Sequence, residues 1–244
     1  MCSRYSVGKD PVHVAVANDE STFQFDIVFN AAPTQTLPVI LLEKGKLTSR
    51  NMKWGFIRKS GLCINARSET LDYNFNSALH QRRCLVPANG FYEWEYSSHG
   101  KLPWRFCLKT GKSFCFAGLY ERRVLDGHKQ LELDGMDAPP ASCVEERFLI
   151  ITGNPNPMVN RIHNRMPVIV NVTHYGWWLD ESKGCCSVPE NCYPRNFGRQ
   201  IKPAENDMFM MALQTFSEKD MDCYRISQVM NNPRNNTAVC FRAV

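Results

Sequence analysis

The chain has 244 residues, 43% of them hydrophobic and 22% charged, and its 29 basic against 24 acidic side chains leave a net charge of +5. That composition excludes a disordered chain and supplies a core for one large domain or two small ones. No apolar run reaches the ~18 residues of a transmembrane helix, and Met1-Cys2-Ser3-Arg4-Tyr5 lacks the apolar segment of a secretory signal. The mild positive charge permits a polyanionic partner without demanding one.

In chain order, the first clear element is the apolar run Val39-Ile40-Leu41-Leu42, which ends at a Lys44-Gly45 turn. Leu71, Phe75, Ala78 and Leu79 follow helical spacing after Ser68-Glu69-Thr70. The run Phe91 to Tyr96 reads as a strand with Tyr92 and Trp94 on one side and Phe91, Glu93 and Glu95 on the other. Arg105 to Leu108 and Ser113 to Phe116 flank Thr110-Gly111-Lys112, a hairpin pattern. Phe148 to Thr152 reads as a buried strand. Thr173 is predicted to cap a short helix carrying Trp177, Trp178 and Leu179. Phe209 to Ala212 fits a helix end or a strand equally. Asp134 to Glu146, with Pro139-Pro140, reads as an exposed insertion, and residues 184–206 as irregular. Many strands and few helices without β-α alternation predict one α+β domain over residues 1–244, built on antiparallel sheet.

The 11 cysteines are an odd number and contain no C-x-x-C pair. Reduced thiols, most of them buried as small hydrophobes, are the simplest reading. Cys185-Cys186 with Cys192 has the wrong spacing for a zinc site.

Four places could carry chemistry. If Met1 is removed, Cys2 becomes a 1,2-aminothiol, whose amine condenses with an aldehyde and whose thiol then closes a thiazolidine; the alternative is an accidental second-position cysteine. Asn65-Ala66-Arg67-Ser68-Glu69-Thr70 offers an amide and a planar guanidinium suited to phosphate, or is a helix start with Arg67 on the surface. Glu93, among aromatics, is expected to have a raised pKa suited to proton transfer, unless it lies on a solvated edge. His163 sits between Arg161 and Arg165, which would keep the imidazole neutral, or it is a surface histidine on a basic loop.

These stretches together resemble the SOS response-associated peptidase family, in its eukaryotic branch. The matching pieces are Met1-Cys2 with Arg4, Phe29 to Thr34, Trp54-Gly55-Phe56, Asn65 to Thr70, Arg83 to Pro87 and Gly90 to Trp94. They continue with Phe116 to Leu119, Ile162 to Pro167, and Val229 to Asn232 with Asn235.

The resemblance implies a β-barrel-like core flanked by helices and a monomer that needs no cofactor or metal. Its partner would be single-stranded DNA containing abasic sites, including single-strand to double-strand junctions, and no membrane. Replication-associated proteins are compatible partners that no residue marks. Cys2 would crosslink to the lesion as a thiazolidine, and an autopeptidase activity would expose it. Glu93 would be the acid/base, also for crosslink reversal. His163 would hold the opened sugar oxygen, and Asn65 would position the site. Arg4, Arg67 and Arg165 would hold phosphates, with Asn30, Trp54, Arg83, Asn231 and Asn232 completing the DNA surface. The eukaryotic branch implies residence in the nucleus, on chromatin, with a cytoplasmic share.

Two other readings stand beside this one. One is a cysteine peptidase acting on other proteins through Cys2, His163 and Glu93; the other is a noncovalent reader of modified DNA. The chain departs from the family in having Ser3 where glycine usually follows the cysteine. Its loop from Phe56 to Ile64 is short and lacks a further aromatic.

Overall fold

The computed structural model describes residues 2–98, 100–124, 144–180 and 212–244. In chain order, β1 (Tyr5–Val7) is followed by a hairpin of β2 (Val12–Val16) and β3 (Asp19–Phe23), then by β4 (Val28–Ala31). A long hairpin joins β5 (Thr36–Glu43) to β6 (Lys46–Trp54), and a small ribbon joins β7 (Phe56–Arg58) to β8 (Gly61–Cys63). Next come β9 (Asn65–Arg67), a 3-10 turn at Ser68–Thr70, α1 (Leu71–Asn74) and α2 (Asn76–Gln81). Four strands follow: β10 (Arg83–Ala88), β11 (Gly90–Ser97), β12 (Gly100–Leu108) and β13 (Phe114–Val124). The remainder is β14 (Val144–Gly153), α3 (Pro157–Asn160), β15 (Met166–Pro167), β16 (Ile169–Val170), α4 (Tyr175–Leu179) and β17 (Met221–Arg225).

The pairings β6–β5–β10–β13–β14 return to β6, so these five strands close into a barrel. Only the closing β14–β6 contact among them is parallel. A second sheet, ordered β17–β12–β11–β1–β4, packs beside it. Alternate residues of the barrel strands serve two apolar clusters, as a period of two requires. Val86, Phe116 and Ile150 share one with Tyr5, Phe91 and Phe106 of the second sheet. Leu85, Ala117 and Ile151 share the other with Leu71, Leu79 and Trp178 of the helices. Because both faces are covered, β10 is buried at every residue. This is the α+β, barrel-cored architecture expected from the sequence.

The Lys44-Gly45 turn is formed by two residues at φ 51° and 78°, the left-handed pair that matches strand twist in a two-residue hairpin. Three local expectations are corrected. The segments around Thr110-Gly111 do not form a hairpin. The chain reverses there, with Gly111 N–H on Leu108 O at 2.9 Å, but β12 pairs with β11 and β17, whereas β13 pairs with β10, β14 and β16. Both strands are apolar enough to be buried in different sheets, so the turn links sheets instead of partners. The helix from Leu71 to Leu79 is broken at Phe75, at φ −137° and ψ 21°. Thr173 does not cap α4: it lies inside a 3-10 turn, Val172–His174, capped by Asn171 accepting from Thr173 N, and α4 follows His174 without a side-chain cap.

Of the insertion expected from Asp134 to Glu146, Val144 to Glu146 begin β14 and the rest lies outside the described residues, as do residues 184–206 and all of Phe209 to Ala212 except Ala212. Cys84, Cys107, Cys115 and Cys240 are buried free thiols; Cys185, Cys186 and Cys192 lie outside the described residues. Among the described residues no helix is long and apolar enough to cross a membrane.

Candidate active site

Cys2 enters the site because β1 is inserted between β11 and β4, with Tyr5 opposite Phe91. Tyr92 N–H bonds to Arg4 O at 3.1 Å, which brings the residues before β1 alongside Glu93. Cys2 is fully buried. Burial, reinforced by the Glu93 carboxylate, raises its thiol pKa strongly, so the thiol is protonated. Asn65 opens β9 and donates from Nδ2 to the Cys2 carbonyl oxygen at 3.0 Å. The parallel pairing of β9 with β14, Asn65 opposite Ile150, fixes its backbone. Ser3 causes no strain: among the described residues only Thr34 and Lys44 are non-glycine residues with positive φ.

Glu93 is 3% exposed and its Oε1 has no hydrogen-bond partner among the described residues. Burial pushes its pKa up to about 7 against the opposing amino-terminal charge. The two faces of β11 separate as the sequence predicts, with Phe91 in the main cluster and Tyr92 and Trp94 in a small one with Met230. His163 Nδ1 lies 4.0 Å from Glu93 Oε1. The Arg165 backbone nitrogen lies 3.0 Å from that same Nδ1. Nδ1 also lies 3.1 Å from Arg165 O, so it accepts from the N–H or donates to the carbonyl according to the tautomer. The His163 pKa is lowered, first by burial, then by the amino-terminal charge, against a hydrogen bond to the Arg165 backbone that raises it; the Arg165 charge expected to keep the ring neutral lowers it least.

The fold thus brings Cys2, Asn65, Glu93 and His163 together from four separate segments. Partly buried Ile64, Trp104, Met158 and Ile162 pack against the same cluster. Asn65 Oδ1 and Glu93 Oε1 are buried acceptors without a partner among the described residues. Tyr5, to which the sequence assigned no role, adds a buried hydroxyl without a partner among the described residues, its pKa raised by burial and by Cys2 and Cys84.

Several residues expected at the DNA surface have partners within the protein. Trp54 is buried and donates to Ile64 O. Arg83 is buried, with carbonyl acceptors at Trp178, Leu79 and Asp180. Asn30 is buried, accepting from Arg4 Nη1 at 2.8 Å and reaching the carbonyls of Met230, Asn232 and Asn235. Arg4 thereby straps the C-terminal segment to β4, bonding also to Met230 O. Asn231 is exposed but its side-chain oxygen accepts from Trp94 Nε1 at 2.6 Å, and Asn232 accepts from Arg234 N. Arg165 is paired in two-pronged fashion with Glu69, a residue to which the sequence assigned no role. Of the three expected phosphate-binding arginines, only Arg67 is exposed without a side-chain partner among the described residues. An anion's attraction to Arg165 is offset in advance by Glu69, whereas Arg67 carries an uncompensated charge next to Asn65.

Comparison with known proteins follows the same site. The sequence model described as SOS response associated peptidase (SRAP) matches residues 1–233. The Abasic site processing protein YoaM of Bacillus subtilis is 31% identical over 260 residues, 98% of this chain and 96% of the relative. The Abasic site processing protein HMCES of Xenopus tropicalis is 24% identical over 252 residues, 93% of this chain and 69% of the relative. The higher identity to a bacterial relative removes the support for the eukaryotic branch, and nuclear residence rested on that branch alone. A solved structure of a Bordetella bronchiseptica protein shares the fold at a TM-score of 0.62 and 18% identity, covering 93% of this chain and 100% of that one.

Proposed function

The chain belongs to the SOS response associated peptidase family, and from that premise we propose that it processes abasic sites in DNA, capturing the lesion's aldehyde covalently through Cys2. The observation that carries this reading is the setting of Cys2. Its carbonyl is held by Asn65, and two buried acceptors, Asn65 Oδ1 and Glu93 Oε1, have no donor among the described residues. Buried acceptors without partners are costly. A Cys2 α-ammonium, created when Met1 is removed, supplies the missing N–H donors.

The chemistry then follows in order. The neutral amine attacks the aldehyde carbon of the opened sugar, forming a C–N bond and moving a proton to oxygen. Protonated Glu93 gives its proton to the departing hydroxyl and its carboxylate takes back the carbinolamine N–H proton, so water leaves and an imine remains. The Cys2 sulfur adds to the imine carbon while its proton passes through Glu93 to the nitrogen. Aldehyde and aminothiol become thiazolidine plus one water. A carboxyl titrating at about 7 is present in both forms near neutrality, as a group that gives and then takes a proton requires. His163 serves the opened sugar oxygen. Reversal runs the same steps backwards, and Glu93 beside the buried thiol also suits autoproteolytic loss of Met1.

Arg67, at the end of the strand that begins with Asn65, supplies a phosphate contact. An abasic site has no base edge to read, so binding to the single strand carries little sequence preference. Intact mass spectrometry of the protein, alone and after incubation with an abasic single-stranded oligonucleotide, tests the reading. The expected result is loss of Met1 and a product weighing protein plus DNA minus one water. A Met1-free protein that yields no such product overturns it.

A further inference from the structure

We propose that Trp104 and Arg225 extend the site by one nucleotide: the indole stacks on the base beside the lesion, and the guanidinium holds that nucleotide's phosphate. The proposal deepens the function proposed above and rests on it for the identity of the ligand.

The register of three adjacent strands places these residues. Glu93 of β11 stands directly opposite Trp104 of β12, and Trp104 directly opposite Arg225 of β17. Residues paired across a ladder share a face, so a carboxylate, an indole and a cation form one row. The row two residues along has Phe91 opposite Phe106 and Phe106 opposite Cys223, and all three lie in or against the apolar cluster that contains Cys2. The row of Glu93 therefore belongs to the face that carries the cysteine. At ~4.8 Å per strand, the backbone of Arg225 is about 10 Å from that of Glu93, on the outermost strand of the sheet.

Along this row the protein opens to solvent: Glu93 is buried, Trp104 half-buried and Arg225 exposed. The indole is already oriented, because Trp104 Nε1 donates to Glu95 Oε2 at 3.0 Å. Aromatic stacking accepts any base, so it suits a site without sequence preference. Glu95 belongs to β11, and β12 separates its charge from Arg225. Arg225 has no side-chain partner among the described residues. A second exposed cation lies near the same strand. Burial and Asp222 raise the Cys223 pKa, and the charge of Arg161, from the loop of His163, works against them. Two unpaired arginines and a fixed indole beside the site complement a single strand, which offers phosphates and the faces of unpaired bases.

The test measures noncovalent binding of the full chain to single-stranded oligonucleotides in which a tetrahydrofuran spacer, which has no aldehyde, replaces the abasic site. A second spacer at the 5′ or the 3′ neighbour removes the base that would stack. The wild type is expected to lose on the order of 10-fold in affinity at one of the two neighbours, as one stacked base implies. Trp104→Leu should bind all these oligonucleotides alike, whereas Trp104→Phe, which keeps a ring, should retain the difference. Arg225→Ala should lower the slope of log affinity against log salt by about 0.7; Arg225 is exposed, so this arm stands even if Trp104→Leu fails to fold. A wild type indifferent to both neighbours overturns the proposal, as does a Trp104→Leu variant that keeps the difference or an unchanged slope in Arg225→Ala. Crosslinking to true abasic DNA is scored separately. A wild type that shows these dependences but forms no crosslink refutes covalent capture and leaves the nucleotide contact standing; normal crosslinking without them refutes the contact alone.

Discussion

Asn65 and Cys2 are joined by a hydrogen bond from Nδ2 to the main-chain oxygen at 3.0 Å, across 63 positions of sequence. This bond ties Cys2 to a barrel-paired strand, and the other end of the amide, Oδ1, is buried without a partner among the described residues. An amide used this way acts as a ruler for the cysteine. It fixes where an amine at Cys2 would point and offers that amine an acceptor.

The nucleophile is tested first. Cys2→Ala should lose the heat-stable adduct with abasic DNA and keep noncovalent binding, because the alanine amine can form only an imine. Cys2→Ser should form the imine and stop there. A denaturing gel with a normal heat-stable adduct for Cys2→Ala would refute the mechanism.

Glu93→Gln should slow crosslink formation and release alike, by ~10²-fold at the lower end of general acid–base effects. The pH profile separates two groups. The Glu93 acid form disappears as pH rises through about 7, whereas the amine becomes reactive above ~7.7. Wild-type rates should thus peak between them, and Glu93→Gln rates should go on rising with pH. Single-turnover rates from pH 5 to 9 check this; wild-type rates and profile in the variant would make Glu93 a structural carboxylate.

The same carboxyl has a stability signature. Its folded pKa of about 7 lies above the ~4.3 of an unfolded glutamate. Between those values the folded state binds more protons, so stability falls as pH rises through that window and stays lowered above it. Glu93→Gln should therefore melt at a higher temperature than wild type at pH 8 and show no such gain at pH 4. Thermal melts at the two pH values measure it, and an equal gain at both would contradict the assigned burial cost.

The cations should divide cleanly. Arg67→Ala should lower the slope of log affinity against log salt by about 0.7, the single-strand value for one phosphate contact. Arg83→Ala should unfold the protein more easily, by about 3 kcal/mol or more, since three carbonyls at Trp178, Leu79 and Asp180 lose their donor. Filter binding across salt, with denaturant melts beside it, distinguishes the two roles; a reduced slope for a folded Arg83→Ala would place that residue on the DNA.

A last prediction concerns the far side of the barrel. A Cβ on Gly176 would lie 2.2 Å from Ala15 O, a backbone atom that cannot swing aside. Gly176→Ala should push α4 off β2 and cost on the order of 1–3 kcal/mol, as overpacking does. It should leave the crosslinking rate of the folded fraction unchanged, and an unaltered melting midpoint would show that the two elements slide freely.

Local order was legible in the residues. The alternation from Phe91 to Tyr96 put Glu93 on the face away from Tyr92 and Trp94, and the burial of that face raised its pKa as expected. The Lys44-Gly45 turn and the strand around Phe148 follow from short-range sterics and period-two burial, which a sequence displays directly. Cys2, Asn65, Glu93 and His163 each had a bland alternative in the sequence and drew their expected roles from the family resemblance; the fold brings the four side chains together. Partnership was not readable. Arg67 and Arg165 are the same cation in sequence, yet one is exposed and the other is neutralised by Glu69, 96 positions away. Arg83 and Asn30 have polar side chains suited to DNA, but both were consumed by buried main-chain oxygens. Two apolar strands around Thr110-Gly111 fitted a hairpin, and pairing with β17 and β10 sent them to different sheets. Such outcomes depend on which distant groups must be desolvated together, and that is decided only when the barrel closes.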